Sequence, residues 1–320
     1  MGTGLISRPP YKLTIALGIV MTAQSGLGIV FAREYRDVEW VRAAWFGNDW
    51  VTLVVVAPLL VVSVARARTG SVRASLLWMG LTGYAFYNYA FYLFGAALNA
   101  FFPIYVAGVV LAASVLILAA SHIEPHRIAA NVRRAAPIRF IGGSLLFIAA
   151  GLSTAWIAVW AAYAFAGRPT PVEPEAFKLV AALDLSLMVP ALSVGGVLIW
   201  KRMPWGFVVA ALASIQGALY LLVLCVNSVV VIRRGIVSSP GEVPIWAPVT
   251  IFTTIVALLV LTSIQPERET FRIEFSRERR WTARNLTSRR SRGLPRALES
   301  ARHVRRLSHR SSVHDRRTRT

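Results

Sequence analysis

Eight stretches of this chain carry almost no charge and run too long for core strands. They cover residues 12–31, 50–65, 76–98, 102–121, 138–163, 178–200, 205–230 and 246–264. A hydrocarbon layer of about 30 Å is crossed by about 20 helical residues rising 1.5 Å each. Each run therefore reads as a membrane span, the second and eighth being the shortest. The apolar residues arrive in blocks instead of alternating with polar ones, so the expected fold class is all-α. The pattern predicts a polytopic transmembrane helix bundle of about eight spans over residues 1–264, with an Arg-rich tail over 265–320.

Polar residues inside the blocks carry the most information. The third run contains "YAFYNYAFYLFGAALNAFF", in which Tyr84, Asn88, Tyr92, Gly95 and Asn99 fall on one helical stripe and Phe91, Phe94 and Leu98 on another. Amides and phenols are costly against hydrocarbon, so the first stripe should face other helices or a wet cavity and the second lipid or apolar packing. The seventh run repeats the arrangement with Gln216, Tyr220 and Asn227. In the first run Thr14, Gly18, Thr22 and Ser25 read as small residues that let helices approach.

Asp184, in "KLVAALDLSLMVPAL", is the one acid well inside a predicted span. A central Asp costs about 2.5–3.5 kcal/mol on insertion scales, so it calls for a partner, hydration near the interface, or a role in a solute or ion pathway. The segment "REYRDVEWVRAAWFGNDW" reads as the first outer loop, either a solvated surface or a vestibule bearing Arg36, Asp37, Asn48 and Asp49. Arg36 is then a counter-ion for an acid of the pocket. The resulting expectation is an outward-open polar pocket of Asp184, Asn88, Tyr84, Tyr92 and Gln216, with Asn99, Asp49 and Arg36 as further members.

Composition agrees: 56% of the 320 residues are hydrophobic and 16% charged. The single cysteine, Cys225, leaves no disulfide framework or cysteine metal site. The net charge of +20 is concentrated in the tail, where 17 Arg face six acids. Such a segment buries no core and suits anionic lipid headgroups, and Leu294, Leu298, Ala301, Val304 and Leu307 can form one apolar face on a basic helix. Nucleic acid is the weaker reading, because 32 Arg against 3 Lys fits a GC-rich genome better than phosphate recognition.

With the N-terminus inside, alternate segments hold 28 cations on the inner side and 7 on the outer side. The positive-inside rule then places both termini in the cytoplasm. The first run has the length of an uncleaved span and ends in no A-x-A site. "SHIEPHR" places His122, Glu124 and His126 at H-x-E-x-H spacing with a proline inside, which suits a loop better than a helical metal pair. No nucleotide loop, dinucleotide fingerprint or nucleophile elbow is visible, and the sequence calls for no metal or cofactor.

The stretches "YRD", "WFGNDWVTLVV", "YNYAFYLFGAALN", "ALDLSLMVPAL" and "PWG" together resemble a family of uncharacterised polytopic bacterial membrane proteins, over roughly residues 35–224. The resemblance implies an α-helical protein of the bacterial inner membrane and carries no activity, substrate or catalytic residue. Similar proteins stop near the last span, so the Arg-rich tail departs from that pattern. Two function classes remain: a transporter or channel-like protein for an unidentified small solute, and a non-catalytic membrane sensor or assembly factor that contacts a protein partner. An intramembrane enzyme ranks third, for want of a nucleophile and base at matched spacing.

Overall fold

A computed structural model describes residues 9–236 and 243–265; the Arg-rich tail and its expected lipid-facing helix lie outside the described residues. The described chain is all α-helical apart from one isolated β-bridge. We number its long helices α1 (Tyr11–Val30), α2 (Glu39–Arg68), α3 (Val72–Gly95), α4 (Phe102–His122), α5 (Ile138–Ala166), α6 (Pro174–Trp200), α7 (Pro204–Arg233) and α8 (Val243–Thr262). Seven of these are long and apolar enough to cross a membrane, and the protein is a multi-pass membrane protein. The eighth, α3, has the length without the hydropathy.

Packing explains that exception. Of the 24 residues of α3, 17 are buried, because α2, α4, α6, α7 and α8 all pack against it. Its Thr82, Tyr84, Tyr87, Asn88, Tyr89 and Tyr92 meet protein, so they carry no hydrocarbon penalty. The second central helix is α7. Both are surrounded by helices that turn Ile19, Val61, Ile117, Phe147, Trp160, Phe165 and Leu258 outward. In a bilayer that exposed apolar belt is the lipid-facing surface.

Local signals set the helix ends. Pro174 and Pro204 occupy first helical positions, where the missing N–H costs nothing. Gly167, at φ 62°, closes α5 in the left-handed conformation. A short helix, Pro125–Ala130, follows α4, and its exit pairs with the end of α8: Arg133 N–H donates to Ser263 O and Gln265 N–H to Asn131 O, both at 2.8 Å. The Arg73 guanidinium donates to Ile264 O at the same end.

Two helices contain a wide turn. In α2, Ala57 N–H reaches back five residues to Thr52 O; in α6, Val189 N–H does the same to Asp184 O. A proline follows each, Pro58 and Pro190. A proline ring collides with the carbonyl four residues before it, and one widened turn relieves that collision without breaking the helix.

Two sequence expectations change. The segment expected as an outer loop is helical from Glu39, so α2 starts eleven residues before the apolar run at Trp50, and Asn48 and Asp49 lie within it. In α1 the buried stripe is Thr14, Leu17, Met21, Gln24, Ser25 and Gly28; Thr22 is exposed and donates back to Gly18 O.

Candidate functional site

The polar interior is organised around two buried carboxylates, Asp49 of α2 and Asp184 of α6, both with no exposed surface. Asp49 accepts from Tyr35 Oη at 2.6 Å, Tyr92 Oη at 2.9 Å and Gln24 Nε2 at 3.1 Å. The Gln24 amide also donates to Tyr35 Oη at 3.0 Å. Burial, with the Asp49 charge beside it, raises the Tyr35 phenol above its ordinary range, so Tyr35 keeps its proton and donates.

The close fit depends on a missing side chain. A Cβ on Gly28 would lie 2.1 Å from Asp49 Oδ2 and 2.4 Å from Tyr35 Oη. Aromatic rings wall the group: Tyr92 stacks on Trp45 at 4.6 Å and on Tyr105 at 5.0 Å between centroids, and Tyr35 meets Phe101 edge-on at 5.6 Å.

Asp184 lies at the start of the wide turn of α6. It accepts from Tyr87 Oη of α3 at 2.6 Å, from Trp156 Nε1 of α5 at 2.9 Å and from Tyr220 Oη of α7 at 3.4 Å. Four different helices thus meet at one carboxyl group. An amide chain joins α7, α2 and α3: Asn227 Nδ2 donates to Asn48 Oδ1 at 2.9 Å, and Asn48 Nδ2 to Asn88 Oδ1 at 3.3 Å. Thr52 and Tyr84 hydroxyls are 3.0 Å apart.

The residues named from sequence are distributed as follows. Tyr92 joins Asp49, Asn88 joins Asn48, Tyr84 joins Thr52, and Gln216 is buried with its amide oxygen beside Gly83 of α3. Asn99 makes a local turn, accepting from Phe101 N–H at 2.9 Å, and its amide lies 3.4 Å from Tyr105 Oη. Asp184 bonds none of Asn88, Tyr84 or Tyr92. Arg36 is exposed, and among the described residues no Arg or Lys forms an ion pair with either buried aspartate. Asp37 is structural, accepting from Trp45 Nε1 and Ala97 N–H.

Gln24, Tyr35, Tyr87 and Trp156 escaped the sequence reading. Gln24 had a signal, since it shares a stripe with Thr14, Leu17, Met21 and Gly28 at spacings of 3, 4, 3 and 4. Trp156 had none, because its indole reaches Asp184 from the half of α5 beyond Ala149, where none of the helix's residues is buried. Three buried polar atoms near these groups, Gln24 Oε1, Tyr89 Oη and Asn227 Oδ1, have no hydrogen-bond partner. The interior therefore holds more hydrogen-bonding capacity than the closed bundle uses.

No group of His, Cys, Asp and Glu among the described residues has the geometry of a metal site. Comparison of the chain with protein-family models, curated proteins and solved structures finds no match.

Proposed function

We propose that this multi-pass membrane protein is a transporter of the bacterial inner membrane, closed in the conformation described, in which Asp184 and Asp49 take up and release a proton or small cation as a solute crosses. One observation carries this reading. Two carboxylates sit inside the bundle with hydroxyl, amide and indole donors and no paired cation. A carboxylate kept only to glue helices costs several kcal/mol of desolvation that an apolar contact of the same size avoids. Intramembrane acids that persist line ion and proton pathways. The unpartnered buried acceptors and the wide turn starting at Asp184 add support, since wide turns recur at functional sites. The 28 to 7 division of cations supports termini in the cytoplasm and a pocket that opens outward.

A second reading, a sensor or assembly factor, is favoured by the closure of the interior: the described polar chains bond mainly to one another. The test uses protons as the probe. Protein reconstituted on a solid-supported membrane receives a step in pH, and the transient charge displacement is recorded. A transporter with titrating interior carboxylates gives a displacement that Asp184→Asn abolishes while the helical spectrum and melting profile persist. Wild-type protein that folds and gives no displacement would sink the proposal in favour of the second reading.

A further inference from the structure

The two wide turns are one element of a longer correspondence. Thr52–Val56 maps onto Asp184–Met188, Pro58 onto Pro190, the end of α2 at Arg68 onto the end of α6 at Trp200, and the start of α3 at Val72 onto the start of α7 at Pro204. The shift from 52 to 184, 58 to 190, 68 to 200 and 72 to 204 is 132 each time. It also takes Gly70, at φ 94°, onto Arg202, at φ 56°, the one non-glycine described with positive φ. The bonds of that turn follow: Gly70 N–H to Ala67 O and Ser71 N–H to Arg66 O become Arg202 N–H to Ile199 O and Met203 N–H to Leu198 O.

Contacts across the bundle obey the same shift in the reciprocal way that a two-fold axis requires. Gly80 meets Ile215 and Gly83 meets Leu212; shifting 80 and 83 by 132 gives 212 and 215, so each pair is the image of the other. Gly47 meets Asn227 and Gly95 meets Leu179, and 47 and 95 map onto 179 and 227. Within each half, Arg68 lies over the Tyr11 ring as Trp200 lies against Gly143. Gln24 donates to Asp49, and Trp156, its counterpart, donates to Asp184.

We propose that residues 11–95 and 143–227 are two structural repeats about an approximate two-fold axis at the α3–α7 crossing, and that their relative rocking opens the polar interior to one side of the membrane and then the other. The motion rests on the transporter reading above; the repeat does not. Equivalent helices are four crossings apart and run in the same direction, so the axis lies along the membrane normal. The inter-repeat contacts form two levels. Gly80, Gly83, Leu212 and Ile215 close the bundle below Tyr84 and Gln216, and Gly47, Gly95, Leu179 and Asn227 close it above. Asp184 and Tyr87, on different repeats, bond between those levels. The titratable groups facing Asp184 are Tyr87 from α3 and Tyr220 from α7, beside Trp156 from α5; those around Asp49 are Tyr35 and Tyr92, which bond it, with Tyr105 of α4 stacked behind and Tyr84 and Tyr89 of α3 close by.

Spin-label distances in lipid nanodiscs, in a Cys225→Ser background, test both halves. Trp50, Val62, Ala182 and Val194 are exposed, and Trp50 and Val62 map onto Ala182 and Val194. A two-fold requires the Trp50→Cys/Val194→Cys distance to equal the Val62→Cys/Ala182→Cys distance. A difference beyond the width contributed by the labels overturns the repeat. On acidification, Trp50→Cys/Ala182→Cys and Val62→Cys/Val194→Cys should change in opposite directions, while Ile19→Cys/Val62→Cys, inside one repeat, stays fixed. Asp184→Asn should remove the change and keep the equality. Equal cross distances in a bundle that stays rigid at every pH, with charge displacement intact, overturn the rocking and leave the transporter reading standing. Movement of the internal pair as large as that between repeats overturns the two-body division.

Discussion

Gly28→Ala adds one methyl group at the point where α1 touches the Asp49 cluster. The new carbon would sit 2.1 Å from Asp49 Oδ2 and 2.4 Å from Tyr35 Oη, where carbon and oxygen need about 3.4 Å. A shortfall of roughly 1 Å exceeds what side-chain flexing absorbs in a packed interior. The 2.6 Å Tyr35–Asp49 bond must open or α1 must move away. Losing a hydrogen bond to a charged group costs about 1.5–3 kcal/mol, and overpacking costs about 1–3 kcal/mol. Against this stands a gain of about 1 kcal/mol in helix propensity, leaving a loss of about 2–5 kcal/mol. Gly26, two residues away on the same helix, has nothing within 4 Å of its Cβ position, so Gly26→Ala keeps the propensity gain without the clash. Equilibrium unfolding in mixed micelles, followed by far-UV circular dichroism, compares the two. In a Tyr35→Phe background the bond is already absent, so the extra cost of Gly28→Ala should fall by about 1.5 kcal/mol or more. Equal stability of the two alanine variants, or strict additivity with Tyr35→Phe, would refute this account of the cluster.

Gly108→Ala places a carbon 2.4–2.6 Å from the Tyr89 ring and should cost about 1–3 kcal/mol in the same unfolding assay, whereas Gly151→Ala, in open space, should cost nothing. Arg202 holds a left-handed conformation that costs a side-chain-bearing residue about 1–2 kcal/mol, so Arg202→Gly should melt at or above the wild-type temperature; a clear drop would mean that the Arg202 side chain stabilises the turn. Reporter fusions after residues 36 and 170 should read as outside and those after 70, 131 and 202 as inside; an outside signal at residue 131 would reverse the orientation.

The sequence reading succeeded where a polar residue interrupts a long apolar block. Tyr84, Asn88 and Tyr92 are buried on α3 and Phe94 is exposed, as the two stripes require; Phe91 is half-buried against Trp45, and the helix ends at Gly95, before Leu98 and Asn99. Asp49 was placed in a loop because the apolar block begins only at Trp50. The preceding residues are an amphipathic turn of the same helix, with Ala43, Gly47 and Val51 buried at four-residue spacing and Arg36, Val38 and Glu39 exposed before them. Hydropathy alone reports contact with lipid, so it misses a helix end that is half protein and half water. The same limit lowers the hydropathy of α3, whose surroundings are other helices. Which polar groups pair was not legible, since Trp156 and Tyr87 reach Asp184 across helix interfaces that no local pattern encodes.

The two-fold correspondence is carried by backbone geometry and reciprocal packing more than by side-chain identity. Under the shift of 132, Leu53, Pro58, Leu60 and Val62 recur as Leu185, Pro190, Leu192 and Val194, in the wide turn and on the limb that leaves it. Most other equivalent residues differ, and at several of these positions the task persists. Gln24 and Trp156 share no chemistry beyond an N–H donor, yet each donates to the carboxylate of its own half. Gly47 and Leu179 differ in size, yet each packs against the end of the opposite central helix, where the size order is reversed in Asn227 and Gly95. The acids themselves are offset: Thr52 occupies the position equivalent to Asp184, and Asp49 stands three residues earlier, about 4.5 Å along the helix. One repeat therefore holds its carboxylate within its own helices, bonded to Tyr92. The other holds it against Tyr87 of the opposite repeat. That asymmetry makes the Asp184–Tyr87 bond, like the Asn227–Asn48 bond, sensitive to relative movement of the halves, whereas the hydrogen bonds of Asp49 to Gln24, Tyr35 and Tyr92 can travel with their repeat intact.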